Sequence, residues 1–189
     1  MAAVTTLIVL ALVAVSALYL WATYNDLVLK RNRVLEAWSG IEVQMKRRYD
    51  LVPNLVETVR GYAKHEAETL QNVTEARERA VATTGAPHLQ APAEAALGGA
   101  LRGLLAVVEN YPDLKANENF LSLQADLAEI EEAIEGARRY YNGATRDLNV
   151  KIEQFPSNLV AKGFGFEQAD FFDLGEQRAA ASQPVAVKF

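Results

Sequence analysis

The sequence predicts an all-α protein: an N-terminal transmembrane helix followed by an antiparallel up-and-down four-helix bundle. Three observations lead there. Residues 4–21, VTTLIVLALVAVSALYLW, hold no charge, glycine or proline. Apolar residues then recur at steps of three and four along four further segments. No window shows the alternation of a half-buried strand.

The anchor comes first. Eighteen uncharged residues at about 1.5 Å each cover roughly 27 Å, close to the hydrocarbon thickness of a bilayer. No charged side chain occurs before Asp26, and nothing basic precedes the apolar run as a cleaved signal peptide would require. Tyr19, Trp21 and Tyr24 cluster at its far end, where amphipathic rings favour the membrane interface. Lys30, Arg31 and Arg33 follow, and the positive-inside bias then places the N-terminus outside and the body in the cytoplasm. The chain thus divides into an anchor at 1–25, a bundle at 26–155 and an aromatic-rich tail at 156–189.

The first bundle helix is expected at about 26–49, on Leu27, Val34, Trp38, Ile41 and Met45, with Arg31 at one seam position. Only Asn25 and Asp26 separate it from the anchor, so the two can form one rod. Pro53 inside a helix would cost about 3 kcal/mol, whereas in a first turn it costs little. The spacing therefore predicts a tight junction, with Asp50 as N-cap, Pro53 in the first turn and the basic run Lys46, Arg47, Arg48 closing the previous helix.

The second helix, at about 51–82, carries Val52, Leu55, Val56, Val59, Tyr62, Leu70 and Val73. Residues 83–92, TTGAPHLQAP, read as a loop, with two prolines and a glycine. A third helix, at about 93–111, places Leu97, Ala100, Leu104, Val108 and Tyr111 on one side, and Pro112 ends it. The fourth, at about 119–155, is the most regular: Phe120, Leu123, Leu127, Ile130, Ile134, Ala137, Tyr141, Ala144 and Leu148 alternate steps of three and four. Asn117 or Asn119 can cap it, and Phe155-Pro156 stops it.

Composition limits the chemistry. The 189 residues suit one domain with a sizeable core. There is no cysteine, hence no disulfide, thiolate site or thiol nucleophile. Residues 26–60 carry seven Lys/Arg against five acids, which leaves −7 beyond Arg60 out of a net −5. An acidic body does not suit nucleic acid, which needs a concentrated basic face.

Reactive constellations are missing too. His65-Glu66 lacks the second histidine of a zinc-protease helix, and position 62 is tyrosine where a di-iron bundle would need glutamate. His88 lies in the expected loop. GFGF at 163–166 has no third glycine and no preceding strand. Ser39, Ser122 and Ser157 have no nucleophile elbow. Glu131-Glu132 and Asp170/Asp173 read as solvated acids. The expectation is a non-enzyme without cofactor or metal.

Five of the seven phenylalanines fall in residues 155–172. They cap the end of the bundle or offer an aromatic surface to the membrane interface or a neighbouring subunit. Leu114, Phe164, Phe166, Phe171 and Phe172 are the candidate protomer contacts. From Gln177 the composition reads as a weakly ordered end.

Four segments carry a family resemblance: AWSGIEVQMKRRYDLVPNLVETVRGYAKHE (37–66), VTEAR (73–77), LLAVVENYPDLKANENFLSLQ (104–124) and YNGATRDLNVKIEQFPSNLVA (141–161). In this order they closely resemble the LemA family of bacterial membrane proteins, with local departures at Gly40, Gly143 and the loop at 83–92. The resemblance implies one N-terminal anchor, an up-and-down helical bundle and no known catalytic residue or cofactor. Members acting on magnetosome membranes imply a part in organising or shaping membranes.

The function expected is therefore a homo-oligomeric scaffold in the bacterial inner membrane, in contact with the lipid bilayer. The alternative is an adaptor whose acidic body tethers a cytoplasmic protein partner, such as a quality-control or signalling component.

Overall fold

The computed structural model describes residues 1–173, and these form six α-helices and no strand. They are α1 (Ala2–Tyr62), α2 (Ala67–Ala82), α3 (Pro87–Val108), α4 (Pro112–Lys115), α5 (Glu118–Glu153) and α6 (Ser157–Gly163). The expected weak order beyond Gln177 falls outside the described residues.

The anchor and the first bundle helix are one element, α1, because no breaker interrupts the Leu/Ala/Val-rich stretch or its polar continuation. The expected junction at Asp50 and Pro53 does not form: α1 runs through Pro53 to Tyr62. Asp50 is no N-cap. It accepts from Lys46 Nζ at 2.9 Å, one turn back on the same helix. Proline cannot donate to the carbonyl four residues earlier, which belongs to Tyr49. Arg77 Nε from α2 donates to that oxygen instead, at 2.6 Å. The acceptor is thus satisfied from outside the helix.

The chain turns later, at residues 63–66, where no proline signals it. The turn is held by tertiary partners: Tyr111 Oη donates to Glu66 at 3.0 Å, and Asn117 Nδ2 donates to Tyr62 Oη at 3.0 Å. The expected loop at 83–92 shrinks to residues 83–86. Gly85 sits at φ +108°, a conformation that L side chains rarely adopt. Pro87 then occupies the first turn of α3, where its missing N–H costs nothing. Asn117 caps α5, its Oδ1 accepting from Phe120 N at 3.0 Å.

The described residues divide into two compact units, Met1–Ser39 with Tyr140–Ala169, and Gly40–Arg139 with residues 170–173. In the first, Leu27, Val34 and Ala37 of α1, Tyr141, Thr145 and Leu148 of α5, and Val160 and Ala161 of α6 are buried. Trp38 meets the Tyr141 ring edge-on at 5.4 Å, and Lys151 Nζ pairs with Asp26 at 2.9 Å. The second holds the main core: Val52, Leu55 and Val59 of α1, Leu70 and Val73 of α2, Leu97 and Leu104 of α3, Leu114 of α4, and Phe120 and Leu127 of α5. Truncating one such aliphatic to Ala costs about 2–5 kcal/mol.

Candidate membrane-facing site

Every apolar residue of the anchor stripe is bare. Leu7, Leu12, Leu18 and Trp21 are all more than 60% exposed, and nothing in residues 4–21 is buried. Among the described residues, two helices are long and apolar enough to cross a membrane. One is α3, whose buried Leu97, Leu101 and Leu104 belong to the core described above. The other is α1, whose apolar stretch has no protein around it. An exposed apolar stretch of this length matches a membrane span in length and composition.

The predicted interface residues mark the end of that stretch, and the structure joins them to the tail. Tyr24 stacks on Phe164 with ring centroids 4.9 Å apart and meets Phe166 nearly edge-on at 5.8 Å. The Arg31 guanidinium lies 5.4 Å from the Phe166 ring centre, a cation–π contact. Tyr19, Trp21 and Arg33 stay exposed, while Lys30 lines a shallow groove with Arg146 and Lys151. Two pairs of bonds fix the tail here. Asn149 exchanges both amide groups with the backbone of Ala169, at 2.9 Å each, and Ser157 Oγ donates to the carbonyls closing α5 at 2.7 Å.

The five candidate protomer contacts separate. Leu114 and Phe172 are buried, so neither is free to meet a neighbour: Leu114 fills the core of the second unit. Phe166 is half-buried, and Phe164 and Phe171 are exposed.

A second polar site was not foreseen. Lys46, Arg47 and Arg48 do not close a helix but diverge to different acids. Arg47 reaches Glu129 at 3.3 Å, and Arg48 is buried between Glu94 of α3 and Glu131 of α5, the latter at 2.8 Å. Tyr49 Oη also donates to Glu94. Burial alone would lower the Arg48 pKa, but the charges of Glu131 and Glu94 outweigh it and hold the guanidinium above its ordinary value. Burial, and then the bond to Glu94, push the Tyr49 phenol upward. Glu131, its side chain still 43% exposed, is thus a partly solvated acid that also pairs with Arg48. Beside the pair lies an open cleft of about 450 Å³, edged by Arg102, Glu132, Glu135 and Arg138. Its charges join three helices, α1, α3 and α5. A signal existed in the sequence: Arg48 falls on the seam between Met45 and Val52, and Glu94 on the seam before Leu97. Opposite charges at buried seam positions of two helices are partners waiting to be matched.

His88, expected to be unpartnered in a loop, is on α3 and meets Asp170 at 2.8 Å on the surface. Among the described residues no cluster of three or more His, Asp or Glu could hold a metal.

These features define a class: an all-helical protein with a bare apolar N-terminal helix and a tail folded back to its end. The LemA family model matches residues 37–189, and the chain belongs to the LemA family. It is 27% identical over 187 residues to magnetosome protein MamQ 2 of Paramagnetospirillum magneticum, covering 86% of this chain and 68% of that one. It is 29% identical over 157 residues to protein LemA of Metamycoplasma hominis, covering 80% and 69%. Magnetosome protein MamQ of Magnetospirillum gryphiswaldense is 24% identical over 206 residues, covering 92% and 75%.

Proposed function

We propose that this LemA-family chain is a single-pass inner-membrane protein, non-enzymatic, that self-associates into a homo-oligomer and organises or remodels the bilayer. The bare, uncharged stretch at residues 4–21 carries the reading. As a span it needs no partner but lipid, and it is covalently continuous with the helix that builds the body. Lys30, Arg31 and Arg33 just beyond it favour a cytoplasmic body. The body is an up-and-down bundle, in which short connections such as residues 83–86 make sequential helices antiparallel neighbours. The magnetosome names of two relatives support a membrane role, and exposed Phe171 remains available for contacts between copies.

The test is particle size. Full-length protein extracted into native nanodiscs is imaged by electron microscopy beside a chain lacking residues 1–24. Large regular particles for the full-length chain, lost without the anchor, are the expected result. Monomers in both samples would sink the scaffold. Stoichiometric crosslinks to a different cytoplasmic protein would then favour the adaptor, for which the acidic region beyond Arg60 supplies an attractive surface.

A further inference from the structure

The short helix α6 has two unlike faces. Ser157, Val160 and Ala161 are buried and hold it to its unit, whereas Leu159 on the helix, Phe155 just before it and Phe164 just after it are 64%, 75% and 60% exposed. Three large apolar side chains thus stand bare within ten residues, a concentration that water alone does not explain. The turn after α6 is built to present it. Gly165 adopts φ +70°, and Phe166 N bonds back to Ala161 O at 2.9 Å, closing the helix end as glycine characteristically does. This is the role of the GFGF stretch. It swings Phe164 and Phe166 onto Tyr24.

That contact fixes the depth of the patch. Tyr24 lies three residues past Trp21, which is about 4.5 Å of helix beyond the last residue of the apolar stretch. A ring touching Tyr24 therefore sits at the level where hydrocarbon gives way to headgroups. Exposed Lys162 on α6 and Arg31 beside Phe166 add positive charge at the same level.

From this we infer that α6 is a second membrane-contact element, an interfacial wedge. It inserts Phe155, Leu159 and Phe164 among the headgroups of an anionic leaflet while Lys162 and Arg31 meet the phosphates. The inference rests on the membrane anchor proposed above. It adds that the protein displaces lipid beside its own span, the kind of one-sided insertion by which a leaflet is bent.

The native absence of cysteine permits a direct test with single labels on the full-length chain. Nitroxides are placed at Leu159→Cys and Phe164→Cys, with Val13→Cys and Leu35→Cys as references, in vesicles of phosphatidylcholine and phosphatidylglycerol. All four parent side chains are exposed, so labelling leaves the core intact. Leu35 follows Trp21 by fourteen residues, about 21 Å of helix, and reports water. The expected result is an oxygen-to-nickel-chelate accessibility ratio several-fold higher at 159 and 164 than at 35, approaching that at 13. Ratios at 159 and 164 equal to that at 35, with 13 still lipid-like, would overturn the wedge and leave the anchor standing. Low access to both reagents at 159 and 164 would mean that protein covers the patch, which also overturns it. A water-like value at 13 would overturn the anchor itself and the wedge with it.

Discussion

Arg77 Nε donates a 2.6 Å hydrogen bond to the carbonyl oxygen of Tyr49, the acceptor that Pro53 leaves without its intrahelical donor. One long-range side chain thus repairs the defect that proline introduces, and α1 continues for another nine residues. Arg77→Ala orphans a half-buried carbonyl, and the expected loss is about 1–3 kcal/mol. In a Pro53→Ala background an amide is again available to Tyr49, so the same change costs less. A double-mutant cycle on thermal unfolding of the detergent-solubilised chain should give a coupling of about 1 kcal/mol. A coupling of zero would mean that Arg77 matters only through its packing.

Arg48 and Glu94 form the most buried ion pair among the described residues, with side chains 4% and 1% exposed. Glu94→Ala leaves a buried guanidinium facing a hole and is expected to cost about 3–5 kcal/mol. Glu94→Gln keeps polar partners for Arg48 and Tyr49 and should cost less. Lysine at position 48 should not rescue, since Arg48 serves Glu94 and Glu131 through separate nitrogens.

The same cluster predicts an alkaline limb of stability. The phenol of Tyr49 is raised in the folded chain by burial and then by its bond to Glu94. Its contribution is complete below the unfolded tyrosine value of about 10 and is lost as pH rises through the higher folded value. The midpoint of thermal unfolding should therefore fall above about pH 10, and fall less steeply in Tyr49→Phe. Parallel curves for the two proteins would remove Tyr49 from the account.

The contrast between Pro53 and the stripe on α5 explains what could be read from the chain. Helix type follows from local periodicity, and the predicted stripe on α5 is buried or half-buried at every position from Phe120 to Leu148. The exposed apolar N-terminal helix was equally legible, because apolar length is a one-dimensional property. The break was misplaced because proline's cost was judged within its own helix, while the donor that offsets it lies on α2. The turn at 63–66 depends likewise on Tyr111 and Asn117, more than forty residues on. Tyr24 and Arg31 stood out in the sequence by their position just beyond the apolar run. Their pairing with Phe164 and Phe166 needed the fold, because it depends on the turn at Gly165.

Thr145 is fully buried on α5, and among the described residues its hydroxyl has no hydrogen-bond partner. A hydroxyl in that state costs about 1–3 kcal/mol by mutational measures. Thr145→Val keeps the branched shape and removes the polar atom, so it should stabilise the chain. For a protein of this size each kcal/mol raises the midpoint by about 2–4 °C. An unchanged or lowered midpoint would show that the hydroxyl is satisfied in solution.

Asn149 holds the tail as a strand neighbour would, accepting from Ala169 N and donating to Ala169 O, both at 2.9 Å. The backbone there has no helix to satisfy it, so one side chain on α5 supplies both bonds. Asn149→Ala removes them together. The loss falls on a segment also held by Gln168 to Glu153 at 2.6 Å, by the rings on Tyr24, and just beyond it by Asp170 to His88 at 2.8 Å and the buried Phe172. Local opening should therefore increase while the core helices are untouched. Hydrogen exchange on the full-length protein in nanodiscs reads this directly. The Ala169 amide is expected to exchange at least tenfold faster for a loss of about 1.5 kcal/mol, with protection in α3 unchanged. Aspartate at 149 should behave differently, since a carboxylate can still accept from Ala169 N but cannot donate to its carbonyl. Retained protection of Ala169 in Asn149→Asp with loss in Asn149→Ala would assign the hold to the accepted bond. Equal loss in both would assign it to the donated one.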